Sequence, residues 1–223
     1  MSARRALAFV VTLGLIWGLA DQVSKYLAVA HLTRLFPEGA GLGERLGLYF
    51  GTDHLYRYAT GPYRLIDGLW HHVYVENPAG AFGLLRGAPL WAKRTLFLGV
   101  ASVATLGLLW MAARARGPRD RLTRVWLGLI FGGALGNLLD RAVHGYVIDF
   151  IDWHWRRWHW PAFNLADVGI VLGVFGLLLF MNPATQAADP ALPLPPEGDD
   201  AVAPAADPAA SPPPGDLDAP DPL

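Results

Sequence analysis

Four stretches of this 223-residue chain contain no Asp, Glu, Lys or Arg: Ala6–Ala20, Thr95–Ala113, Val125–Leu139 and Val168–Ala188. Helical spacing separates no polar face within them, because every face is apolar. A helix that is apolar all round either crosses a membrane or lies in the core of a large protein. A chain this short cannot enclose four such helices in water, so the runs read as membrane spans. Composition agrees: only 17% of residues are charged, where a soluble domain carries about a quarter.

The lengths of the runs then become informative. A span takes about 20 residues at roughly 1.5 Å of rise each. The first and third runs hold 15 residues apiece and reach only about 22 Å as helices. To cross a bilayer they must extend past their first charges. Asp21 and Asp140 are therefore expected at, or just inside, the bilayer edge. The fourth run begins directly after Asp167, which sets that carboxylate at another helix end.

Basic residues in short loops orient the spans. Arg4 and Arg5 precede the first run, and Arg114, Arg116, Arg119, Arg121 and Arg124 crowd the link between the second and third. Both regions are expected on the cytoplasmic side, with both termini. The segments 33–90 and 141–162 then face outward. Lys93, Arg94, Arg156 and Arg157 fall outside too, but they are scattered where the cytoplasmic cluster is dense. A cleaved leader is the competing reading of the first run. It is disfavoured because the apolar pattern resumes at Tyr26–Leu32, and because an odd number of spans would place the charges worse.

Within the outer loops, Leu46–Phe50 and Val73–Val75 are predicted as short strands. Trp153, Trp155, Trp158 and Trp160 suit the headgroup boundary. The chain divides at residues 182 and 183. The segment Pro183–Leu223 holds 12 of the 18 prolines and is expected to be a disordered tail. From Asp189 on it carries eight acidic residues and no basic ones, leaving 18 basic against 11 acidic residues in the body. A basic body suits anionic lipid. The expected fold is an all-α membrane protein over residues 1–182: four spans, a small outer β-containing platform, no nucleic acid partner, and a monomeric state.

In this topology the polar residues converge on the outer side: Asp21, Asn77, Asn137, Asp140, Arg141, Asp149, Asn164 and Asp167. Ionisable groups at membrane depth are costly and mark functional sites. Each also has a structural reading. Asp21 and Lys25 stand four apart and can form a helix ion pair. Asn164 or Asp167 can cap a helix start. Asp140 and Arg141 can anchor at the interface. Gly128, Gly132 and Gly136 recur every fourth residue, a spacing for close helix packing.

Asp149, Asp152 and His154, with His144 and His159 nearby, admit zinc or magnesium, but their spacing matches no specific metal pattern. No metal and no cofactor is therefore assigned. Cysteine is absent and serine is scarce, with Ser24 alone on the outer side and no nucleophile motif around it. What remains is a carboxylate pair, Asp149 and Asp167. Two carboxylates sharing a site do not both ionise easily. One can take a proton from water while the other polarises a peptide carbonyl, a general acid–base hydrolysis.

Five stretches carry a family resemblance: Asp21–Lys25, Asn77–Phe82, Gly133–Arg141, Val147–Phe150 and Phe163–Asp167. In order and in position against the spans they resemble the sequence blocks of lipoprotein signal peptidase (signal peptidase II), and the likeness covers roughly Leu7 to Phe180. The resemblance implies a multi-pass bacterial inner-membrane peptidase that cleaves prolipoproteins before a diacylglyceryl-modified cysteine, without metal or cofactor. It implies that Asp149 and Asp167 are the catalytic aspartates. Asn137, Arg141 and Asn164 would line the active site, with Asp21, Lys25 and Asn77 near the substrate. The chain departs from the family at Ala79–Gly80, where glycine usually comes first, and its first outer loop is long around Phe50–Trp70. A small proton-coupled carrier, a non-catalytic scaffold and an inactive relative are the competing classes.

Overall fold

A computed structural model describes residues 2–78, 87, 89–114 and 120–180, all within one compact unit, Met1–Gln186. The Ala79–Gly80 departure and the expected disorder of Pro183–Leu223 lie outside the described residues. Elements follow in the order α1 (Ala3–Leu32), α2 (Leu42–Gly51), β1 (Tyr63–Ile66), β2 (Trp70–Asn77), α3 (Leu90–Arg114), α4 (Arg121–Val143), β3 (Val147–Trp155), β4 (Trp158–His159) and α5 (Leu165–Phe180). The fold is mostly helical with a small antiparallel sheet.

α1 starts where Ser2 Oγ accepts a hydrogen bond from the Arg5 backbone N–H at 3.3 Å, satisfying one of the donors a helix start leaves open. It stops at Thr33, whose extended backbone ends the helical path. Among the described residues, α1 and α4 are long and apolar enough to cross a membrane, whereas Val103–Arg114 and Leu165–Leu179 are shorter apolar helices. The apolar side chains that do not pack inward point outward. Leu15, Ile16 and Leu19 on α1, Val103 and Leu106 on α3, and Leu178 on α5 are all exposed. A water-soluble bundle would expose so much contiguous apolar surface only as a binding or membrane face.

α4 is the central helix, packed on α1 and α5. Glycines set how closely the helices approach. A Cβ on Gly132 would run into the Gly14 backbone of α1, and one on Gly133 into the Ala166 carbonyl of α5. Gly169 gives room to the Trp17 indole, whose Nε1 donates to the Leu165 carbonyl at 3.2 Å. This ties α1 to the first residue of α5. The close approach aligns one end of each of the three helices, the end that carries their polar residues.

The sheet has the order β1-β2-β3-β4. β2 runs antiparallel to β3 with His71 opposite Asp152 and Val75 opposite Asp149, and the register shifts between His72 and Val75. β3 returns as β4 through a two-residue turn at Arg156–Arg157. Arg156 takes φ 56 there, the left-handed conformation that tight hairpins use. Beneath the sheet lies a cluster of Val29, Leu35, Tyr49, Leu55, Tyr146 and Ile148.

The strand predicted at Val73–Val75 falls within β2. The one predicted at Leu46–Phe50 is a helix, α2. Leu46, Leu48 and Phe50 alternate with other residues, so their spacing reads as a strand. In the helix, Leu42, Leu46 and Phe50 fall four apart on an exposed stripe while Tyr49 turns inward. There Tyr49 packs edge-on against Tyr26 and His144. Tertiary burial of one aromatic ring overrides the local period.

Candidate active site

Two carboxylates face one another across the junction of β3 and α5, and three amide side chains hold them. Asp149 sits on β3 and is 2% exposed. Its Oδ1 accepts from Asn164 Nδ2 at 2.7 Å and its Oδ2 from Asn77 Nδ2 at 3.0 Å. Burial, and next the negative charge of Asp167, push the Asp149 carboxyl up to about 7. Both effects penalise its ionised form.

Asp167 stands in the first turn of α5 and is partly exposed. Its Oδ1 accepts from Asn137 Nδ2 at 2.8 Å. Asn164 and Asp167 also cap the helix reciprocally. Asn164 Oδ1 accepts from the Asp167 N–H at 3.0 Å, and Asp167 Oδ2 accepts from the Asn164 N–H at 3.3 Å. This is the geometry of a capping box, with an aspartate in the usual Glu/Gln place. The capping reading and the site reading of Asp167 are therefore compatible: one oxygen serves the helix end and the other faces Asn137.

Behind the carboxylates lies a buried ionic cluster. Lys25 and Asp21 are both 0% exposed. Lys25 Nζ lies 2.8 Å from Asp21 Oδ2, 2.8 Å from Asp140 Oδ2 and 3.1 Å from Asn137 Oδ1. Its three donors are thus all used. Asp21 Oδ1 accepts from the Ala166 N–H at 2.8 Å, so α1 caps the start of α5. Asp140 Oδ2 accepts from the Ile148 N–H at 3.0 Å, which docks β3 on α4.

The sequence left Asp21 and Lys25 open between a structural ion pair and support of the substrate or site. Enclosed and bonded to the protein, they brace Asn137, α5 and β3 from behind. Arg141 donates through Nη1 to the Asn137 carbonyl at 3.1 Å. Ser24 Oγ turns back to the Asp21 carbonyl at 2.7 Å, a bond within its own helix.

Gln22 was not among the converging residues read from the sequence, and Asp140 stood among them with no site role assigned. Gln22 donates to Asp140 Oδ1 at 2.8 Å and to the Gly136 carbonyl at 3.2 Å. Asp140, read as an interfacial anchor, is the second counter-ion of Lys25. Helical phase carried the signal for both. Asp21, Gln22 and Lys25 lie within one turn of α1, and Gly136, Asn137 and Asp140 within one turn of α4.

Comparison with known proteins identifies the family. A family model described as signal peptidase (SPase) II matches residues 13–182. A lipoprotein signal peptidase of Anaeromyxobacter sp. (strain Fw109-5) is 39% identical over 209 residues, covering 89% of this chain and 97% of the relative. One from Ralstonia nicotianae is 40% identical, covering 63% of this chain and 85% of the relative. One from Serratia marcescens is 37% identical, covering 64% and 79%. A solved bacterial membrane enzyme superposes with a TM-score of 0.58 at 21% identity, covering 83% of this chain and 94% of that one. On the extent of these matches, the chain belongs to the signal peptidase II family.

Proposed function

We propose that this protein is a lipoprotein signal peptidase of the bacterial inner membrane. It removes the signal peptide of diacylglyceryl-modified prolipoproteins just before the lipidated cysteine, using Asp149 and Asp167 as an aspartyl dyad. The observation that carries this reading is the amide framework. Asn164 bonds Asp149 and Asp167 at once, while Asn77 and Asn137 each hold one further carboxylate oxygen.

The chemistry follows from the unequal surroundings of the pair. With its carboxyl near 7, Asp149 retains the proton and donates it to the scissile carbonyl oxygen. Asp167, more exposed and in the first turn of α5, serves as the general base. It takes a proton from water as that water attacks the carbonyl carbon. The tetrahedral intermediate then collapses. The C–N bond breaks, and the proton taken by Asp167 passes to the leaving amine of the cysteine. Asp149 recovers its proton from the intermediate hydroxyl, so the dyad ends as it began. Asn137, Asn164 and Asn77 keep the carboxylates from rotating, and Arg141 fixes the backbone of Asn137. No cofactor enters these steps.

The topology proposed with this function has four spans, α1, α3, α4 and α5, and cytoplasmic termini. α5 is about 24 Å long, and the apolar sequence run that begins at Val168 continues past its end to Ala188. Residues 1–182 would form the peptidase, acting as a monomer, and 183–223 a disordered cytoplasmic tail. The acyl chains of the substrate would enter sideways from the bilayer. A carrier would need polar groups through the bundle middle. Among the described residues, the charged network lies at one end of the helices, which favours the peptidase.

The test is cleavage by the purified full-length protein in lipid, comparing a diacylglyceryl-modified prolipoprotein with its unmodified precursor. Mass spectrometry should find a mature product beginning at the lipidated cysteine, from the modified substrate alone. Folded protein that leaves it uncut, or cuts both precursors equally, would overturn the assignment.

A further inference from the structure

The sheet carries a second cluster of titratable side chains, separate from Asp149 and Asp167. Along β3, burial alternates: Asp152 and His154 turn inward while Trp153 and Trp155 are exposed. Residues two apart on a strand share a face. His71 stands opposite Asp152 on β2, and His159 stands opposite His154 on β4. Three strands thus bring three imidazoles and one carboxylate together. The His71 and His154 ring centroids are 4.1 Å apart, and those of His154 and His159 4.8 Å.

The polar atoms in this cluster are left in an unusual state. His154 is only 5% exposed, yet among the described residues its Nδ1 has no hydrogen-bond partner, and neither does the buried Nε2 of His71. A buried nitrogen without a partner carries an uncompensated desolvation cost. His154 Nδ1 lies 3.6 Å from Asp152 Oδ2. That is too long for a hydrogen bond. It is close to the separation of about 3.4 Å between two ligands of one tetrahedral ion, each at roughly 2.0–2.2 Å. Ligand atoms of His71, Asp152 and His154 all lie within 4.8 Å of one another.

We propose that His71, Asp152 and His154 form a binding site for a divalent transition metal, with Zn2+ the best-matched ion. Two imidazoles and one carboxylate suit zinc, whereas calcium and magnesium take oxygen ligands. The fourth position would hold water. His159 Nδ1 lies 2.9 and 3.1 Å from the two Asp152 oxygens, so His159 orients the carboxylate as an outer partner. Asp149 is not a member, since Asn77 and Asn164 hold its carboxylate elsewhere. The ion would cross-link β2 to β3 and, through His159, to β4, fixing the hairpin that displays Trp153, Trp155 and Trp158. Its role is structural and lies apart from the hydrolytic step.

The test uses full-length protein in lipid nanodiscs, stripped with chelator and titrated with ZnCl2 alone by calorimetry. One Zn2+ per chain is expected, together with a rise in Tm. Affinity should drop at least about tenfold in Asp152→Asn and in His154→Ala, with the Tm gain lost. The exposed His31→Ala should bind as the parent does. Should the buried substitutions not fold, His159→Gln, at a half-exposed position, should still weaken binding in folded protein. Absence of Zn2+ binding by the folded parent would overturn the site. So would binding that survives all three cluster substitutions, which would mean surface histidines alone.

Discussion

Asn164 Nδ2 lies 2.7 Å from Asp149 Oδ1 while its Oδ1 accepts the Asp167 backbone N–H at 3.0 Å. One fully buried amide therefore links the Asp149 carboxylate to the backbone of Asp167. Asn164→Ala removes one of the two side-chain holds on the Asp149 carboxylate and the side-chain cap on the Asp167 N–H, while Asn137 still holds the Asp167 carboxylate. Misplacement by about 1 Å costs on the order of 100-fold in rate, so kcat should fall by about that factor with KM little changed. Steady-state kinetics in lipid would show it, and an unchanged kcat would remove Asn164 from the site's framework.

The pH profile follows from the protonation of Asp149. A carboxyl raised to about 7 by burial and by Asp167 is protonated below that pH and loses its proton above it. If Asp149 is the acid, kcat/KM should fall on the alkaline side with a midpoint near 7. Activity that keeps rising between about pH 7 and 9 would contradict this role. Replacing Asp167 by Asn removes the neighbouring negative charge, which eases ionisation. The Asp149 carboxyl, followed by carbon NMR, should then titrate at lower pH.

Lys25 answers two carboxylates in a fully enclosed place. Lys25→Met leaves Asp21 and Asp140 buried without their cation. Breaking a buried pair by removing one partner costs about 3–5 kcal/mol, so the variant should unfold well below the parent in thermal scans. The triple change Lys25→Met, Asp21→Asn, Asp140→Asn should recover much of that loss. A single variant as stable as the parent would contradict the bracing role.

Close helix approach at Gly133 offers a steric test that alters no titratable group. Alanine there would drive Cβ into the Ala166 backbone carbonyl, which cannot swing aside. Overpacking of this kind costs about 1–3 kcal/mol. It should also shift the first turn of α5, lowering activity along with stability. At Gly99 on α3 nothing among the described residues lies within 4 Å of the added atom, so Gly99→Ala should be neutral in both readouts.

The sequence was most legible where charge and length constrain a helix. The 15-residue apolar runs set Asp21 and Asp140 just past their ends, and the two carboxylates meet in the structure through Lys25. It was least legible where long-range packing decides. Alternation at Leu46–Phe50 suggested a strand, but burial of Tyr49 against Tyr26 makes a helix. Linear spacing grouped Asp149 with Asp152 and His154, whereas strand pairing groups Asp152 and His154 with His71. That pairing depends on the register of β2 against β3, including its bulge, which no local pattern encodes. The brace role of Asp21 and Lys25 was open in the sequence, because ion-pair spacing does not say which way the pair faces.

The dyad is tested most directly by Asp149→Asn and Asp167→Asn, singly and together, in folded, lipid-embedded enzyme acting on diacylglyceryl-modified prolipoprotein. Each substitution keeps the side-chain size and removes ionisation. Each should lower kcat/KM by at least about 100-fold, with the double variant little worse than either single one, because the two acids act as a unit. Near-full cleavage by folded Asp149→Asn or Asp167→Asn would contradict the aspartyl mechanism.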